Sequence, residues 1–549
     1  MKVFIPIIVI WSLSVLHLQG QNTVGVITYD SLAMSGYTLF TPNTSTYLID
    51  NCGQYINHWE SNSRPGLTAY LTEEGNLIRA GSAPGEFNGA GSGGLLEEYN
   101  WDGELLWSYK VSNSEYQQHH DIEILPNGNI LFIAWEYRSE EEANAQGAAS
   151  DLVYWPPVVY EIKKLGKDSA EFVWEWHVWD HLIQDHNPEK ENFGVVSEHP
   201  ELININVNAS QGISNPDWMH MNGIDYDVLR DEIILSSRNF SEIYIIDHST
   251  TIEEAAAHTG GTRGKGGDIL YRWGNPNTYD KGFNEERQLF GQHNAEIVPT
   301  GFIGEGNITL FNNGNQRPQG KYSSIDEIRP PRDVDGNYIL GVNGVYGPEN
   351  VTWHYTAPDK ETFYSSKMGG TKRLPNGNTL ICDSRKGRFF EVTQEGELVW
   401  DYESPVSFIE FLIDGEDNDG LASSFRAERI PLDFPAFQNK DITPGEVLEL
   451  EPAAFDCVII DVVSSIDDQT DAALLHFKIL ANRKILISTE SGLGDDLRYN
   501  VYNQNGQMMS SGLSNDSAQD IDISNYAAGL YFLHCTYKGK RYVKKFINI

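Results

Sequence analysis

Three histidines occupy matching positions in three successive repeats of this sequence. His120 and His293 each lie six residues before the proline of a turn, and His220 lies seven residues before Asp227, which is nearly the same place. Packing alone gives no reason to repeat histidine at one register, so we expect the three imidazoles to converge. Because imidazole is a competent nucleophile for group transfer, this pattern predicts a reactive site.

Two other interpretations of the histidines stay open at this point. Each imidazole is able to satisfy hydrogen bonds within a core, and three together suit Zn²⁺ or Cu²⁺. No carboxylate in this register obviously completes a metal set, although Asp121 and Asp225 lie near it. We therefore expect neither a metal nor a cofactor at the site.

Two arginines follow the histidines along the chain. Arg238 ends the strand after His220, and Arg317 ends the strand after His293. A planar guanidinium matches the geometry of a tetrahedral oxyanion. The sequence thus predicts a small anion site, with Arg317 as a second cationic contact to substrate.

The composition opposes some functions. The 549 residues include 39 Lys and Arg against 78 Asp and Glu, a net charge of −39. Such a chain is a poor candidate for binding nucleic acid or an anionic membrane. Aromatic residues make up 11% of the chain, far too many for a disordered acidic protein.

A repeated strand pattern supplies the elements that must position these residues. An apolar strand containing a tryptophan recurs six times, often preceded by a hairpin with an Asn-Gly turn, whose positive φ angles suit type I′ geometry. The shortest spacings are just under about 50 residues, which suits a four-stranded propeller blade. The repeated tryptophans are Trp59, Trp107, Trp174, Trp273, Trp353 and Trp400.

The count of first strands predicts how the repeats close. Five such strands precede the tryptophan strands, and the sixth appears only at 425–433. We therefore predict an all-β fold in which residues 21–437 form a six-bladed β-propeller closed by this C-terminal strand, because closure removes free sheet edges. The first strand of each blade lines the channel, so the three histidines would meet there.

The two ends of the chain differ from the repeats. Residues 1–20 resemble a signal peptide, the alternative being an uncleaved anchor, and no other stretch is apolar enough to span a membrane. Residues 438–474 have the composition of a linker, and 475–549 alternate as short strands of a small β-sandwich. The four scattered cysteines do not indicate a zinc site or a disulfide framework.

Several motifs together resemble the bacterial arylsulfate sulfotransferases. This resemblance implies a propeller with a channel site, which moves a sulfuryl group from a phenolic sulfate ester to a phenol by a ping-pong mechanism, without a nucleotide sulfate donor. The chain lacks the long N-terminal β domain and the close cysteine pair of well-known members. The motifs lie at 118–122, 125–129, 217–226, 234–238, 267–274, 291–294, 310–314 and 425–429.

The resemblance also implies roles for individual residues. His293 would become transiently sulfated, while His220 and Arg238 would hold the sulfuryl oxygens. His120 would assist proton transfer at the phenol oxygen, and His119 is less expected in that place because side chains alternate along a strand. Further substrate contacts are expected from Trp218, Asn222, Asn294 and Arg317.

The tail has its own resemblance. Residues 475–549 resemble the C-terminal sorting domains of the type IX secretion system, which implies that secretion machinery exports the chain to the surface or exterior of a Gram-negative bacterium. A carbohydrate- or protein-binding module is the alternative for this tail. For the whole chain, a non-catalytic secreted propeller that binds carbohydrate or protein, and a sulfuryl or phosphoryl ester hydrolase, remain competing functions.

Overall fold

The computed structural model describes most of the repeat region and parts of the tail. The predicted signal peptide and most of the predicted linker lie outside the described residues. Within the described part of the chain, no helix is long and apolar enough to cross a membrane. The described residues are 22–207, 215–408, 410–416, 418, 420–452, 476–480, 484–488, 497–503, 508–514, 518–523, 525–526, 529–537 and 540–548.

Short antiparallel strands dominate the chain up to residue 177. A short helix, α1 (Glu140–Ala145), interrupts them. The strands are β1 (Gly25–Tyr29), β2 (Gly36–Phe40), β3 (Ser45–Ile49), β4 (Tyr55–Glu60), β5 (Pro65–Leu71), β6 (Leu77–Ser82), β7 (Gly94–Tyr99), β8 (Leu105–Lys110), β9 (Tyr116–Ile124), β10 (Ile130–Glu136), β11 (Pro157–Leu165) and β12 (Ser169–His177).

The same pattern continues to residue 431. A second short helix, α2 (Ile252–Ala255), follows β17. The strands are β13 (Leu182–Ile183), β14 (Ile203–Asn204), β15 (Met221–Asp227), β16 (Glu232–Ser237), β17 (Glu242–Asp247), β18 (Tyr271–Trp273), β19 (His293–Ile297), β20 (Ile308–Asn312), β21 (Ser324–Ile328), β22 (Trp353–Tyr355), β23 (Gly370–Arg373), β24 (Thr379–Asp383), β25 (Arg388–Val392), β26 (Leu398–Glu403) and β27 (Ala427–Pro431).

These strands form six antiparallel sheets, apart from a small parallel pair of β13 and β14. Four sheets are β5 to β8, β9 to β12, β15 to β18, and β19 to β22. A fifth joins β23 to β26 and adds β1 at its edge, and a sixth has the order β27-β2-β3-β4. The late strand β27 pairs with β2, with Gly36 opposite Pro431, as the sequence analysis expects. The prediction of an all-β, propeller-like fold is confirmed at this level.

The repeated tryptophans join each sheet to the next one. Each lies in the fourth strand of its sheet and donates its indole N–H to the turn between the third and fourth strands of the following sheet. Trp400 makes this contact from the last sheet back to the first. The bonds are Trp59 to Asn100 O (2.8 Å), Trp107 to Ser169 O (2.9 Å), Trp174 to Thr250 Oγ1 (3.1 Å), Trp273 to Pro348 O (2.9 Å), Trp353 to Gln394 O (2.7 Å) and Trp400 to Asn51 O (2.8 Å).

The first strands of neighbouring sheets also touch. Strand β9 contacts β5 and β15, β19 contacts β15 and β23, and β23 contacts β27. The first strands therefore form one continuous row, which brings together side chains that are hundreds of residues apart in the sequence.

The start of the predicted linker lies against the sheets. The N–H of Gly445 donates to Tyr55 O at 2.7 Å, and Leu450 pairs with Ile413. Cys52, nearby in the turn after β3, is disulfide-bonded, whereas Cys382 and Cys535 are free. The sequence left the disulfide state of the four cysteines open, because the spacing of cysteines along a chain does not reveal which distant segments meet.

The tail forms two antiparallel sheets of its own. One has the order β28-β29-β32 and the other β31-β30-β33-β34. Both contribute to one apolar cluster, which includes Ile485, Val501 and Leu533. The strands are β28 (His476–Leu480), β29 (Lys484–Ser488), β30 (Leu497–Asn503), β31 (Met508–Ser514), β32 (Ala518–Asp522), β33 (Gly529–Tyr537) and β34 (Lys540–Asn548).

Replacing Trp400 by phenylalanine tests the indole contact between the last and first sheets. We expect the free energy of unfolding to fall by about 1–3 kcal/mol, because the buried carbonyl of Asn51 loses its donor while most of the ring remains. Urea denaturation measures this change. Trp155→Phe is the control, since its indole N–H has no hydrogen-bond partner among the described residues. An equal loss in both variants would contradict a role for the hydrogen bond.

Candidate functional site

A local irregularity at one register turns side chains of the first strands toward each other. Non-glycine residues with positive φ occur there at Leu67 (96°), His120 (55°), His220 (49°), Asn294 (51°) and Met368 (60°). In β5, β9, β15 and β19 the pairing with the next strand shifts at this point, as in a β-bulge. Positive φ is rare outside glycine and costs of order 1–3 kcal/mol, so its repetition at one register points to function.

His120 is buried at the bulge in β9. Its imidazole lies 4.8 Å from that of His220, measured between ring centroids. Its Nδ1 is 2.9 Å from Nδ1 of His119, which lies behind it with its ring stacked on Trp135 at 4.0 Å. A Cβ atom at Gly91 would come within 2.3 Å of the His120 ring, so this glycine makes room for the imidazole.

His220 is paired with a buried carboxylate. Its Nδ1 lies 2.5 Å from Oδ2 of Asp217, and Trp135 donates its indole N–H to the other oxygen of that carboxyl at 2.9 Å. Burial opposes ionisation of Asp217, but the hydrogen bond and charge of His220 outweigh it and hold the pKa of Asp217 below its usual value. The pair therefore resembles the carboxylate–histidine pairs that orient an imidazole and stabilise its protonated form.

His293 has a neutral partner instead. Its Nδ1 lies 2.7 Å from Oδ1 of Asn313, whose amide nitrogen donates to the carbonyls of Ser365 and Met368. Because the amide nitrogen is occupied, Oδ1 must face the histidine and Nδ1 must carry the proton. Nε2 of His293 thus keeps a lone pair, which accepts only a long hydrogen bond of 3.2 Å from the N–H of Met368.

Burial determines the charge of two of these histidines. Desolvation lowers the pKa of both His120 and His293 well below the ordinary value of 6.5, and the positive charge of Arg238 acts in the same direction. Both imidazoles are therefore neutral near pH 7. The expectation of a cationic site consequently depends on Arg238 and His220.

The two predicted arginines differ in their surroundings. The guanidinium of Arg238 bonds to Asn239 at 3.1 Å, and no ion pair of the described residues includes it. The guanidinium of Arg317 instead lies over the Tyr322 ring at 4.3 Å and donates to Ser324 at 2.9 Å. The structure thus brings Arg238 to the histidines and directs Arg317 into contacts beside them, and the substrate role of Arg317 stays a prediction.

The other predicted contact residues are all buried near the ring. Asn294 is saturated, because it donates to Glu296 at 2.6 Å and accepts from the N–H of Thr371 at 2.6 Å. Asn222 donates to Gln292 O, but its Oδ1 has no partner within the described structure. The indole N–H of Trp218 is likewise buried without a partner among the described residues. Asn222 and Trp218 therefore keep polar atoms without a partner among the described residues, whereas the amide of Asn294 is bonded to Glu296 and Thr371.

Strand β27 and the residues before it complete the site. The Phe425 ring lies 5.9 Å from that of His120 and 6.3 Å from that of His293, so it packs against both. Next to it, the buried Arg426 bonds to Asp121 at 2.6 Å and to Glu296 at 3.3 Å. This ion network joins β27 to β9 and β19 directly beneath the histidines.

The same strands carry an acidic cluster farther along. Burial, with Glu296 beside it, raises the pKa of Asp225 to about 7, and burial also raises the pKa of Glu123. Lys372 is the cation among them and pairs with Glu428. The row of first strands is thus polar throughout, with imidazoles in one part and carboxylates in the other.

Sequence reasoning missed the partners of the histidines. Asp217 lies only three residues before His220, and Asn313 ends the strand that follows His293, so both positions were visible. Their roles depend on which way the bulges turn each ring, and no periodicity in the sequence encodes that. His119 was set aside by strand alternation, which the bulge in β9 interrupts.

Solved structures with similar overall fold are distant. A protein of unknown function from Bacteroides caccae is 11% identical, and the match covers 67% of this chain and 94% of that protein with a TM-score of 0.38. Virginiamycin B lyase from Staphylococcus aureus is also 11% identical, over 88% of this chain and 94% of the lyase, with a TM-score of 0.29.

A relative with a described activity is the arylsulfate sulfotransferase AssT of Lelliottia amnigena. It is 22% identical over 414 residues, which make up 69% of this chain. The match spans 64% of the length of that relative.

Sequence models of two families match separate parts of the chain. Residues 481–549 match the secretion system C-terminal sorting domain, which indicates export to the surface or the exterior of the cell. Residues 28–417, well over half of the chain and the region that contains His120, His220 and His293, match the arylsulfotransferase model. The chain belongs to the arylsulfotransferase (ASST) family.

Proposed function

We propose that this protein transfers a sulfuryl group from a phenolic sulfate ester to a phenol through a covalent intermediate on His293, without a nucleotide sulfate donor. The observation that carries the proposal is the state of His293. Its ring is neutral, Asn313 holds the proton on Nδ1, and Nε2 retains its lone pair, while the positive charge of Arg238 acts on the ring. A buried neutral imidazole in that tautomer is poised for nucleophilic attack.

In the first half-reaction, Nε2 of His293 attacks the sulfur atom of the aryl sulfate. The S–N bond forms, the S–O bond to the aryl group breaks, and the electron pair leaves with the phenolate oxygen. Arg238 and His220 hold the sulfuryl oxygens, on which negative charge is spread during transfer. Trp218 and Asn222, which keep polar atoms without a partner among the described residues, contact the substrate, whereas Asn294 holds its neighbours in place and Arg317 would have to leave Tyr322 and Ser324 to reach it.

The second half-reaction reverses these bonds with another phenol. Its oxygen attacks sulfur, the S–N bond breaks, and Nε2 recovers its lone pair. A proton must reach the departing phenolate and later leave the incoming phenol. His220 is better suited to carry it than His120, because Nδ1 of His220 lies 2.5 Å from the buried Asp217 carboxylate, whereas burial lowers the pKa of His120 well below its ordinary value. His120 then positions the phenol oxygen.

The architecture we propose for this activity is a six-bladed propeller at 21–437. The Trp400 contact and the β2–β27 pairing support its closure by the C-terminal strand. Residues 438–474 would link it to a small β-sandwich at 475–549 that engages the secretion machinery of a Gram-negative bacterium. Residues 1–20 would direct export as a signal peptide. The contacts of Gly445 and Leu450 indicate that the linker starts on the propeller surface.

The test is an assay with p-nitrophenyl sulfate, with and without an added phenol. We expect p-nitrophenol release that depends on the phenol, and a sulfated His293 in mass spectra when the acceptor is left out. His293→Asn should lose all transfer, because it lacks the nucleophile but keeps a polar group of similar shape. Circular dichroism shows whether that variant folds.

Three results would contradict this proposal in different ways. Release without any phenol would indicate a hydrolase that uses the same residues. If no phenol is released with any combination of aryl sulfate donor and phenol acceptor, a non-catalytic propeller that binds carbohydrate or protein would be favoured. Full activity in His293→Asn would exclude His293 as the nucleophile while leaving the transfer itself in place.

Asp217→Asn tests whether His220 carries the proton. We expect kcat/KM to fall about 10–100-fold for aryl sulfates whose phenols are weakly acidic, and much less for p-nitrophenyl sulfate, whose phenolate leaves without protonation. Asp227→Asn is the control, since this buried Asp at the end of β15 pairs with Arg230 instead. A loss that is uniform across donors would indicate a purely structural role for Asp217.

Added salt tests how the acidic surface affects the substrate. The net charge of −39 repels an anionic aryl sulfate at long range, and ordinary salt screens that repulsion beyond about 8–10 Å. The partly buried Arg238 is screened less. We therefore expect KM for the aryl sulfate to decrease with moderate salt while KM for a neutral phenol stays constant. An increase in KM for the sulfate would count against this expectation.

A further inference from the structure

A second cluster of histidines lies away from the channel, where two sheets meet. His181 ends a short 3-10 turn after β12, while His258 and Asp268 lie in the segment between α2 and β18. Nδ1 of His181 and Nδ1 of His258 lie 2.8 and 2.7 Å from the same oxygen, Oδ1 of Asp268. The three donor atoms all lie within 4.8 Å of one another.

The hydrogen bond at the far side of His181 determines its tautomer. Nε2 lies 2.8 Å from the carbonyl of Ala255, which only accepts, so Nε2 must carry a proton. In a neutral ring Nδ1 then presents a lone pair to the Asp268 carboxylate. Two electron-rich atoms at 2.8 Å require a cation, which is either a second proton on the ring or a metal ion.

His258 favours the metal ion. Its side chain is 60% exposed, yet its Nδ1 lies on the oxygen that His181 already occupies. An exposed histidine gains little from joining an ion pair and loses side-chain freedom, whereas it completes a ligand set. A metal-bound histidine also typically donates its other N–H to a backbone carbonyl or carboxylate, as His181 does to Ala255.

The surroundings of His181 are specifically shaped for this arrangement. The ring is fully buried and stacks parallel to Trp176, with centroids 5.8 Å apart. A Cβ at Gly267 would lie 1.9 Å from Ala255 O and 2.6 Å from Nε2 of His181, so only glycine allows this close approach. Trp176 donates its own indole N–H to Gly267 O at 2.7 Å. His181 therefore has a fixed orientation.

We propose that His181, His258 and Asp268 bind a divalent transition-metal ion such as Zn²⁺. Two imidazoles and a carboxylate suit this class of ion, with water in the remaining position. In a tetrahedral zinc site the donor atoms lie about 3.3 Å apart. Oδ1 of Asp268 would therefore move about half an ångström away from each imidazole nitrogen, and the two nitrogens, which lie within 4.8 Å of each other, would adjust to the same separation. The site would fasten the segment after β12 to the loop that follows α2, and so join the sheet of β9 to β12 to the sheet of β15 to β18.

Zinc titration of the full chain, without a polyhistidine tag and after dialysis against a chelator, tests this site. We expect one Zn²⁺ per chain by calorimetry and elemental analysis, and a rise in Tm when Zn²⁺ is added. His258→Ala should weaken binding at least about tenfold and abolish the rise in Tm, because it removes a ligand from the surface without disturbing the core. Asp268→Asn should do the same.

The matched control is His354→Ala. His354 also pairs with a carboxylate, Asp326, at 2.6 Å and is 42% exposed, but no second imidazole joins this pair among the described residues. The His354→Ala variant should bind Zn²⁺ with the same affinity and stoichiometry as the unaltered chain. Absence of stoichiometric binding, undiminished binding by His258→Ala, or an equal loss in His354→Ala would each overturn the proposal in favour of a simple ion pair. If Asp268→Asn fails to fold, His258→Ala decides alone, and none of these readouts involves sulfuryl transfer.

Discussion

The contact on which the structure depends is the hydrogen bond from an indole N–H to the neighbouring sheet, which accepts through a backbone carbonyl at five of the six tryptophans and through the Thr250 hydroxyl at Trp174. Each repeated tryptophan buries an apolar ring between two sheets and places one N–H on a group of the next turn, which fixes both the spacing and the direction of successive sheets. Trp400 extends this from the last sheet to the first. Because the first strands take their positions from these sheets, residues as distant as His120 and Phe425 come to lie within 5.9 Å.

The bulges position individual side chains within the first strands, just as the tryptophans position whole sheets. A regular strand would send His119 and His120 to opposite faces and hold neighbouring side chains at a fixed separation. Positive φ at His120, His220 and Asn294 instead turns the rings into a common space. The strain this costs is offset by contacts that only a convergent row allows, above all the bonds of Arg426 to Asp121 and Glu296.

The features predictable from the sequence are those with a period or a register. The six tryptophan strands and the pairing of the late strand β27 with β2 both follow from counting, whereas the positive φ angles align Asn294, not His293, with His120 and His220. The features that could not be predicted from the sequence depend on contacts with residues far away in the chain or on local backbone geometry. They include the disulfide at Cys52, the opposite partners of His220 and His293, and the pairing of His181 with His258 and Asp268 across 77 or more residues.

The charges around the histidines also bear on why sulfate esters suit this site. Burial keeps His120 and His293 neutral and Arg426 is paired with two carboxylates, which leaves Arg238 as a cation that no ion pair of the described residues includes. A single positive charge matches an aryl sulfate, which carries one negative charge. A phosphate monoester carries nearly two near pH 7, and the second would face the acidic cluster beyond Arg426 without compensation. If the protein acts as we propose, a partly buried guanidinium that no ion pair of the described residues includes favours a monoanionic substrate by charge balance.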